Sequence, residues 1–192
     1  LRKKNYMENE IFDYLYKHLK TERYEHTLQV YELASKLAAN YNEDVYNIQI
    51  AALLHDCGKW MTADESKNYI SVNKVKIKYY PFILKYAPQI LHAYISEDIA
   101  KKKFGVKNTE ILNAVKYHTV GRINMSNAEK IVFISDALSP DRKLKFNIEH
   151  DVVYGDLNRT FKFVMQNKIQ YVVSKFKVLH PDIVSIWNYY NK

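Results

Sequence analysis

Apolar residues recur three and four positions apart through most of the chain. Ile11, Phe12, Leu15 and Leu19 predict a first helix over about 8–18. A second starts with Thr21 as N-cap and carries Leu28, Val30, Tyr31, Leu33, Leu37 and Ala38. Asn42 or Glu43 begins a third, through Val45, Ile48, Ala51, Ala52 and Leu54 to His55, and Gly58 ends it as a C-cap glycine. Between residues 61 and 80 the pattern is ambiguous, because Ile70, Val72, Val75 and Ile77 suit short strands as well as helix. The reading adopted is one short helix after Thr62 and another before Pro88. Segments 88–104, 109–117 and 126–138 each pair a helix start signal with periodic apolar residues, punctuated by Gly105 and Gly121. The pattern weakens over 142–155, which reads as loop. Asp156 then opens an amphipathic stretch of about five turns holding Leu157, Phe161, Val164, Met165, Ile169, Val172, Val173 and Phe176. A last short helix starts at Pro181. No repeat, low-complexity tract or linker interrupts the series, so one all-α domain is expected.

Composition sharpens this in three ways. Only 4 Gly and 4 Pro in 192 residues leave few obligate turns, which argues against a many-turned β fold. The lone cysteine, Cys57, excludes an intramolecular disulfide, and without a signal-like or membrane-length apolar run the expected location is the cytoplasm, with no membrane partner. A surplus of 29 Lys and Arg over 21 Asp and Glu suits an anionic partner: a nucleotide, a phosphate ester or, less favoured, a nucleic acid. Solvated surface lysines account for the same charge equally well.

The candidate chemistry centres on His55-Asp56. With 7 His in the chain and ten Asp, composition alone supplies roughly 0.4 such pairs, so the dipeptide by itself is weak. His150-Asp151 has the same letters without an apolar run before it, and reads as a surface or loop pair. His55-Asp56 differs because an apolar helix carries it inward, where imidazole and carboxylate need partners. A buried hydrogen bond would serve, and so would a divalent metal, which could also activate water. His26 shares a helix face with Arg23, which lies three residues earlier, though an exposed position is the plain alternative. His118 ends a helix, where imidazole is also favourable simply as a dipole complement. Asp136 sits among Ile131, Val132, Phe133 and Ile134 with no Lys or Arg four residues away on either side, so a metal is its more attractive partner. His18 and His180 lack comparable settings.

Together the ordered elements Arg23-x-x-His26, Ala51-Ala52-Leu53-Leu54-His55-Asp56-x-x-Lys59, Leu91-His92-Ala93, His118-Thr119-x-Gly121 and Asp136-x-x-x-Pro140-x-Arg142 resemble the HD-domain phosphohydrolase superfamily. Within it they most resemble the bacterial YqeK family. The match covers about 6–142, and His180-Pro181-Asp182 is similar to that family's tail. The resemblance implies a single HD-type helical bundle over 1–192, with C-terminal helices at about 156–190 packing on the motif-bearing part. It also implies a metal centre and symmetrical hydrolysis of diadenosine tetraphosphate to two ADP. The implied metals are two Fe ions, while N and O ligands would equally suit Mn, Zn, Co or Ni. His26, His55, Asp56 and Asp136 would hold one ion; Asp56, His92 and His118 would hold the other, with Asp56 bridging. Asp56 and Lys59 would be catalytic, and Arg23, Lys59, Thr119, Gly121 and Arg142 would lie near the substrate phosphates.

The sequence departs from the family pattern at Ser96-Glu97, where a Gly-Ala pair is usual, and at Ser135 and Ser139, which replace Ala and Glu. Glu97 would then bring an acidic group near a polyphosphate site. Two alternatives are another HD phosphohydrolase acting on a different nucleotide or phosphodiester, and a non-catalytic nucleotide- or RNA-binding module. A mononuclear centre and a homodimer are also left open.

Overall fold

A computed structural model describes residues 2–142 and 150–192, and within them every regular element is helical. The elements are α1 (Arg2–His18), α2 (Thr21–Asn40), α3 (Val45–Leu54), α4 (Ala63–Asn73), α5 (Tyr80–Tyr86), a 3-10 turn (Pro88–Ile90), α6 (Leu91–Lys102), α7 (Thr109–Tyr117), α8 (Asn127–Leu138), α9 (His150–Gly155), α10 (Leu157–Ser174) and α11 (Ile183–Tyr190).

Two helices are apolar nearly all round, and these become the centre of the bundle. In α3, Ile48 and every residue from Ile50 to Leu54 are buried, and in α8 the whole stretch from Ala128 to Ala137 is buried. α2 lies against both, α7 packs on α6 and α8, and α10 closes over α8. Phe133 of α8 meets Phe161 of α10 with ring centroids 5.1 Å apart, both fully enclosed. One contiguous core thus runs from Ile11 in α1 to Ile186 in α11.

Start signals explain most helix boundaries. Thr62 and Glu65 form a reciprocal capping box on α4, and Ser126 and Glu129 form another on α8. The segment that suited strand or helix is resolved by that first box, with α4 and then α5 forming. Some expectations need correction. The residue before α2 is Lys20, with no side-chain cap, so Thr21 is the first helical residue instead of the N-cap. Asp44, not Asn42 or Glu43, caps α3 by accepting from the Asn47 amide. Part of the expected loop over 142–155 is α9, so His150 opens a helix, with Asp151 exposed; the remainder of that loop, 143–149, lies outside the described residues.

Gly58 also acts differently from expectation. Its φ is not in the left-handed region; the constraint is space, because a Cβ there would meet Ile95 Cγ2 at 2.7 Å and the Ser96 backbone nitrogen at 3.2 Å. The turn after α3 therefore presses directly onto α6.

Candidate metal centre

Five helices deliver the candidate ligands to one point. His26 comes from the second turn of α2, His55 is the C-cap of α3 with Asp56 next to it, His92 lies in the first turn of α6, His118 is the C-cap of α7, and Asp136 lies near the end of α8. All six are buried. The C-termini of α3 and α7 meet here, and both dipoles favour positive charge.

The imidazoles are oriented by their outer nitrogens. His55 Nδ1–H donates to the Ala52 carbonyl at 2.6 Å, His118 Nδ1–H to the Val115 carbonyl at 2.7 Å, and His92 Nδ1–H to the Gln89 carbonyl. His26 Nδ1 lies 2.9 Å from both oxygens of the Asp141 carboxylate. A carbonyl or carboxylate can only accept, so each Nδ1 carries a hydrogen, and Nε2 is the ring atom turned toward the centre and able to ligate a metal.

These ring atoms crowd one another. His92 Nε2 and His118 Nε2 are 3.1 Å apart, and Asp56 Oδ1 lies 2.9 Å from the first and 3.6 Å from the second. A divalent cation among such nitrogen and oxygen atoms would satisfy all of them at once. Asp56 Oδ1 and His55 Nε2 are buried without a hydrogen-bond partner, the signature of groups arranged for a metal. The ligand atoms of His26, His55 and Asp56 lie within 4.8 Å of one another, as do those of Asp56, His92 and His118, giving two triads that share Asp56. A binuclear metal-binding site is present, and its donor set fits divalent ions.

Charges shape the same point. Burial works to raise the Asp56 carboxyl, but His55, Lys59 and His92 beside it hold it well below the usual carboxylate range. Arg23 Nη1 also pairs with its Oδ2 at 2.9 Å, and Lys59 Nζ stands 3.5 Å from Oδ1. Burial lowers His92 despite the pull of Asp56, and pushes His118 down to about 4, so both rings favour the neutral, ligating form.

Asp136 Oδ1 lies 3.3 Å from His26 Nε2 and 3.9 Å from His55 Nε2, at the edge of the first triad. It also has basic partners that do not stand four residues away on its own helix. Arg142 bonds its carboxylate and its backbone carbonyl, and Lys168 Nζ approaches Oδ2 at 3.5 Å. Neither could be found four residues away on α8, because Arg142 folds back from beyond the helix end and Lys168 arrives on α10.

A cavity of about 570 Å³ opens over the centre, lined by Lys59, His92, Thr119, Asp136, Arg142 and Lys168 with an apolar wall from α10. Thr119 also borders the neighbouring cavity, where Gly121 lies. Arg23 contributes to Asp56 instead of to either wall. Sequence reasoning missed Asp141 and Lys168. Asp141 lies inside the Asp136-x-x-x-Pro140-x-Arg142 element and could have been noticed there, whereas nothing near Lys168 in sequence marks it.

The Ser96-Glu97 departure also resolves. Ser96 Oγ accepts the Gly58 amide at 2.9 Å and so pins the turn after Asp56 onto α6. Glu97 faces Lys116 at 3.8 Å and lines neither cavity, so the acidic group stays outside the wall of the cavity over the metal centre. Ser139 Oγ lies 3.2 Å from His26 Nδ1.

A helical bundle with paired His/Asp triads beneath a basic cavity defines a metal-dependent phosphohydrolase. The HD domain family model matches residues 23–141. The chain is 32% identical, over 90% of its length and 89% of the relative's, to the symmetrical bis(5′-nucleosyl)-tetraphosphatase of Staphylococcus aureus. It is 31% identical to the protein of the same name from Halalkalibacterium halodurans, over 89% of this chain and 90% of that one. The crystal structure of a predicted HD superfamily hydrolase involved in NAD metabolism from Clostridium acetobutylicum superposes with a TM-score of 0.84 at 31% identity, covering 95% of this chain and 96% of that one. The chain belongs to the HD-domain family and, within it, to the symmetrical bis(5′-nucleosyl)-tetraphosphatase family.

Proposed function

We propose that the chain hydrolyses diadenosine tetraphosphate symmetrically, one water and one dinucleotide giving two ADP. The observation that carries the reading is the cluster of imidazole nitrogens around the Asp56 carboxylate, under a cavity lined by Lys59, Arg142 and Lys168. His26, His55 and Asp56, with Asp136, would hold one ion, and Asp56, His92 and His118 the other, iron being the expected metal. Bound divalent ions supply Lewis-acid stabilisation and lower the pKa of water.

The chain's own residues do the rest. Water adds to one of the two inner phosphorus atoms as the bond from that phosphorus to the central bridging oxygen breaks, and the second ADP leaves with that oxygen. Lys59, Arg142 and Lys168 line the cavity and offset the phosphate charge in place, so little reorganisation is needed at the moment of reaction. Thr119 and Gly121 border the substrate path, and Arg23 fixes the Asp56 carboxylate. An ADP leaving group requires no strong acid. Because α10 contributes Met165 and Lys168 to the cavity and Ile183 of α11 joins them, 1–192 is read as one working unit rather than a separable 6–142.

The test is product analysis with diadenosine tetraphosphate. ADP as sole product is expected, while AMP plus ATP, or no turnover by metal-loaded protein, overturns the reading. In parallel, Asp56→Ala is expected to lose bound metal and hydrolysis together while keeping its helical circular dichroism. Activity in a metal-free Asp56→Ala preparation would refute the assignment.

A further inference from the structure

A second cavity, of about 690 Å³, lies beside the one over the metal centre. The two share Ile90, Thr119, Val120 and His180 in their linings, so they adjoin as two lobes. The border runs beside the candidate ligands: Thr119 directly follows His118, and Ile90 precedes His92 by two residues. These shared residues place the second lobe next to the metal centre.

Its chemistry suits a nucleotide. Lys76, Lys78, Lys116 and Arg122 line it against a single carboxylate, Asp182, and Tyr94 and Tyr117 supply aromatic surface. Lys78 is paired with Asp182 at 2.8 Å and Arg122 with the buried Glu129. Lys76 is exposed, and Lys116 stands 3.8 Å from Glu97. His180 Nε2, on the shared border, is buried without a hydrogen-bond partner. Each lobe falls in the range of about 300–1,000 Å³ usual for small-molecule sites.

We infer that the second lobe receives the leaving ADP half of the dinucleotide, with Lys76 and Lys116 facing its phosphates and the tyrosines beside its nucleoside. The inference rests on the proposed substrate. It gives symmetrical cleavage a physical basis, since one half in each lobe leaves the central bridge between the lobes, at the border beside His92 and His118.

The test is the double variant Lys76→Ala/Lys116→Ala. Lys76 is exposed and Lys116 half-buried beside Glu97, so a melting temperature and metal content close to wild type are expected and serve as the check on folding. The KM for diadenosine tetraphosphate should rise about ten-fold, equivalent to about 1.4 kcal/mol, with kcat changed less than about two-fold. Calorimetric titration with ADP should give two sites per wild-type chain and one in the variant. A single ADP site in wild type, or a variant with wild-type KM and stoichiometry, would overturn the inference. If wild type fails to cleave the dinucleotide, the proposed reaction falls, and the ADP stoichiometry still decides whether the second lobe binds a nucleotide.

Discussion

Replacing Gly58 with alanine tests how the metal centre is held. Gly58 lies two residues after Asp56, and its added Cβ would stand 2.7 Å from Ile95 Cγ2 and 3.2 Å from both Ile95 Cβ and the Ser96 nitrogen. Ile95 is fully buried, and the Ser96 nitrogen is helix backbone, so neither can yield cheaply. Overpacking of this kind costs about 1–3 kcal/mol. Separating the turn from α6 also stretches the 2.9 Å bond from the Gly58 amide to Ser96 Oγ, and an unpaired buried donor costs about 1–3 kcal/mol more. With partial relaxation the net destabilisation should be about 2–4 kcal/mol. At about 2–4 °C per kcal/mol for a chain of this size, the melting temperature should fall by about 4–16 °C. Because α6 carries His92 one turn before Ile95, metal affinity should weaken about 10–100-fold, as when a ligand's supporting contact is removed. The measurements are thermal unfolding by circular dichroism and metal competition with a chelator. Gly155→Ala is the control: its Cβ would meet nothing within 4 Å, so it should be neutral or stabilising. A Gly58→Ala protein that melts within about 1 °C of wild type and binds metal normally would refute the argument.

Three further outcomes follow from the site. Lys59→Ala should keep its metal but raise KM or slow turnover, as read by steady-state kinetics beside elemental analysis; loss of metal would show that Lys59 supports the ligands instead. Lys168→Met removes a charge-assisted contact worth about 1.5–3 kcal/mol and should lower kcat/KM about 10–100-fold with helical content retained. An unchanged kcat/KM would remove Lys168 from the reaction. Acid should destabilise chelator-stripped protein. Burial holds His118 at about 4 in the folded chain against about 6.5 unfolded, so between these values the unfolded chain binds more protons and stability rises with pH. The contribution is complete above about pH 6.5 and costs about 3 kcal/mol by pH 4, with Asp56 and Asp136 adding losses at lower pH as they protonate. Urea unfolding at pH 7 and pH 4.5 measures it, and equal midpoints would contradict the buried neutral imidazole.

Much of this protein is written locally in its sequence. The density of apolar residues marked the central helices, because a helix buried on all sides has few polar positions to give up to solvent, as in α3 and α8. Capping chemistry acts over three residues, so Ser126 and Asp156 were readable as helix starts. The ligand set His26, His55, Asp56, His92, His118 and Asp136 was legible as spaced motifs, and the fold gathers all six. Between residues 61 and 80, where β-branched residues also suited strands, the helices read after Thr62 and before Pro88 are the ones that form, the first fixed by its capping box and by packing on α6.

Tertiary structure alone decided the rest. Asp141 meets His26 across 115 residues, and Lys168 reaches Asp136 from α10, so neither partner lies within a helical turn of the group it serves. Gly58 looked like a helix terminator in sequence, yet its lack of a side chain matters because α6 passes against it. The two adjoining lobes likewise exist only once the segments around Ile90, Thr119 and His180 meet. Helix and cap preferences are settled by neighbours a few residues away. Charge compensation, close packing and cavities depend on which surfaces the folded chain brings together.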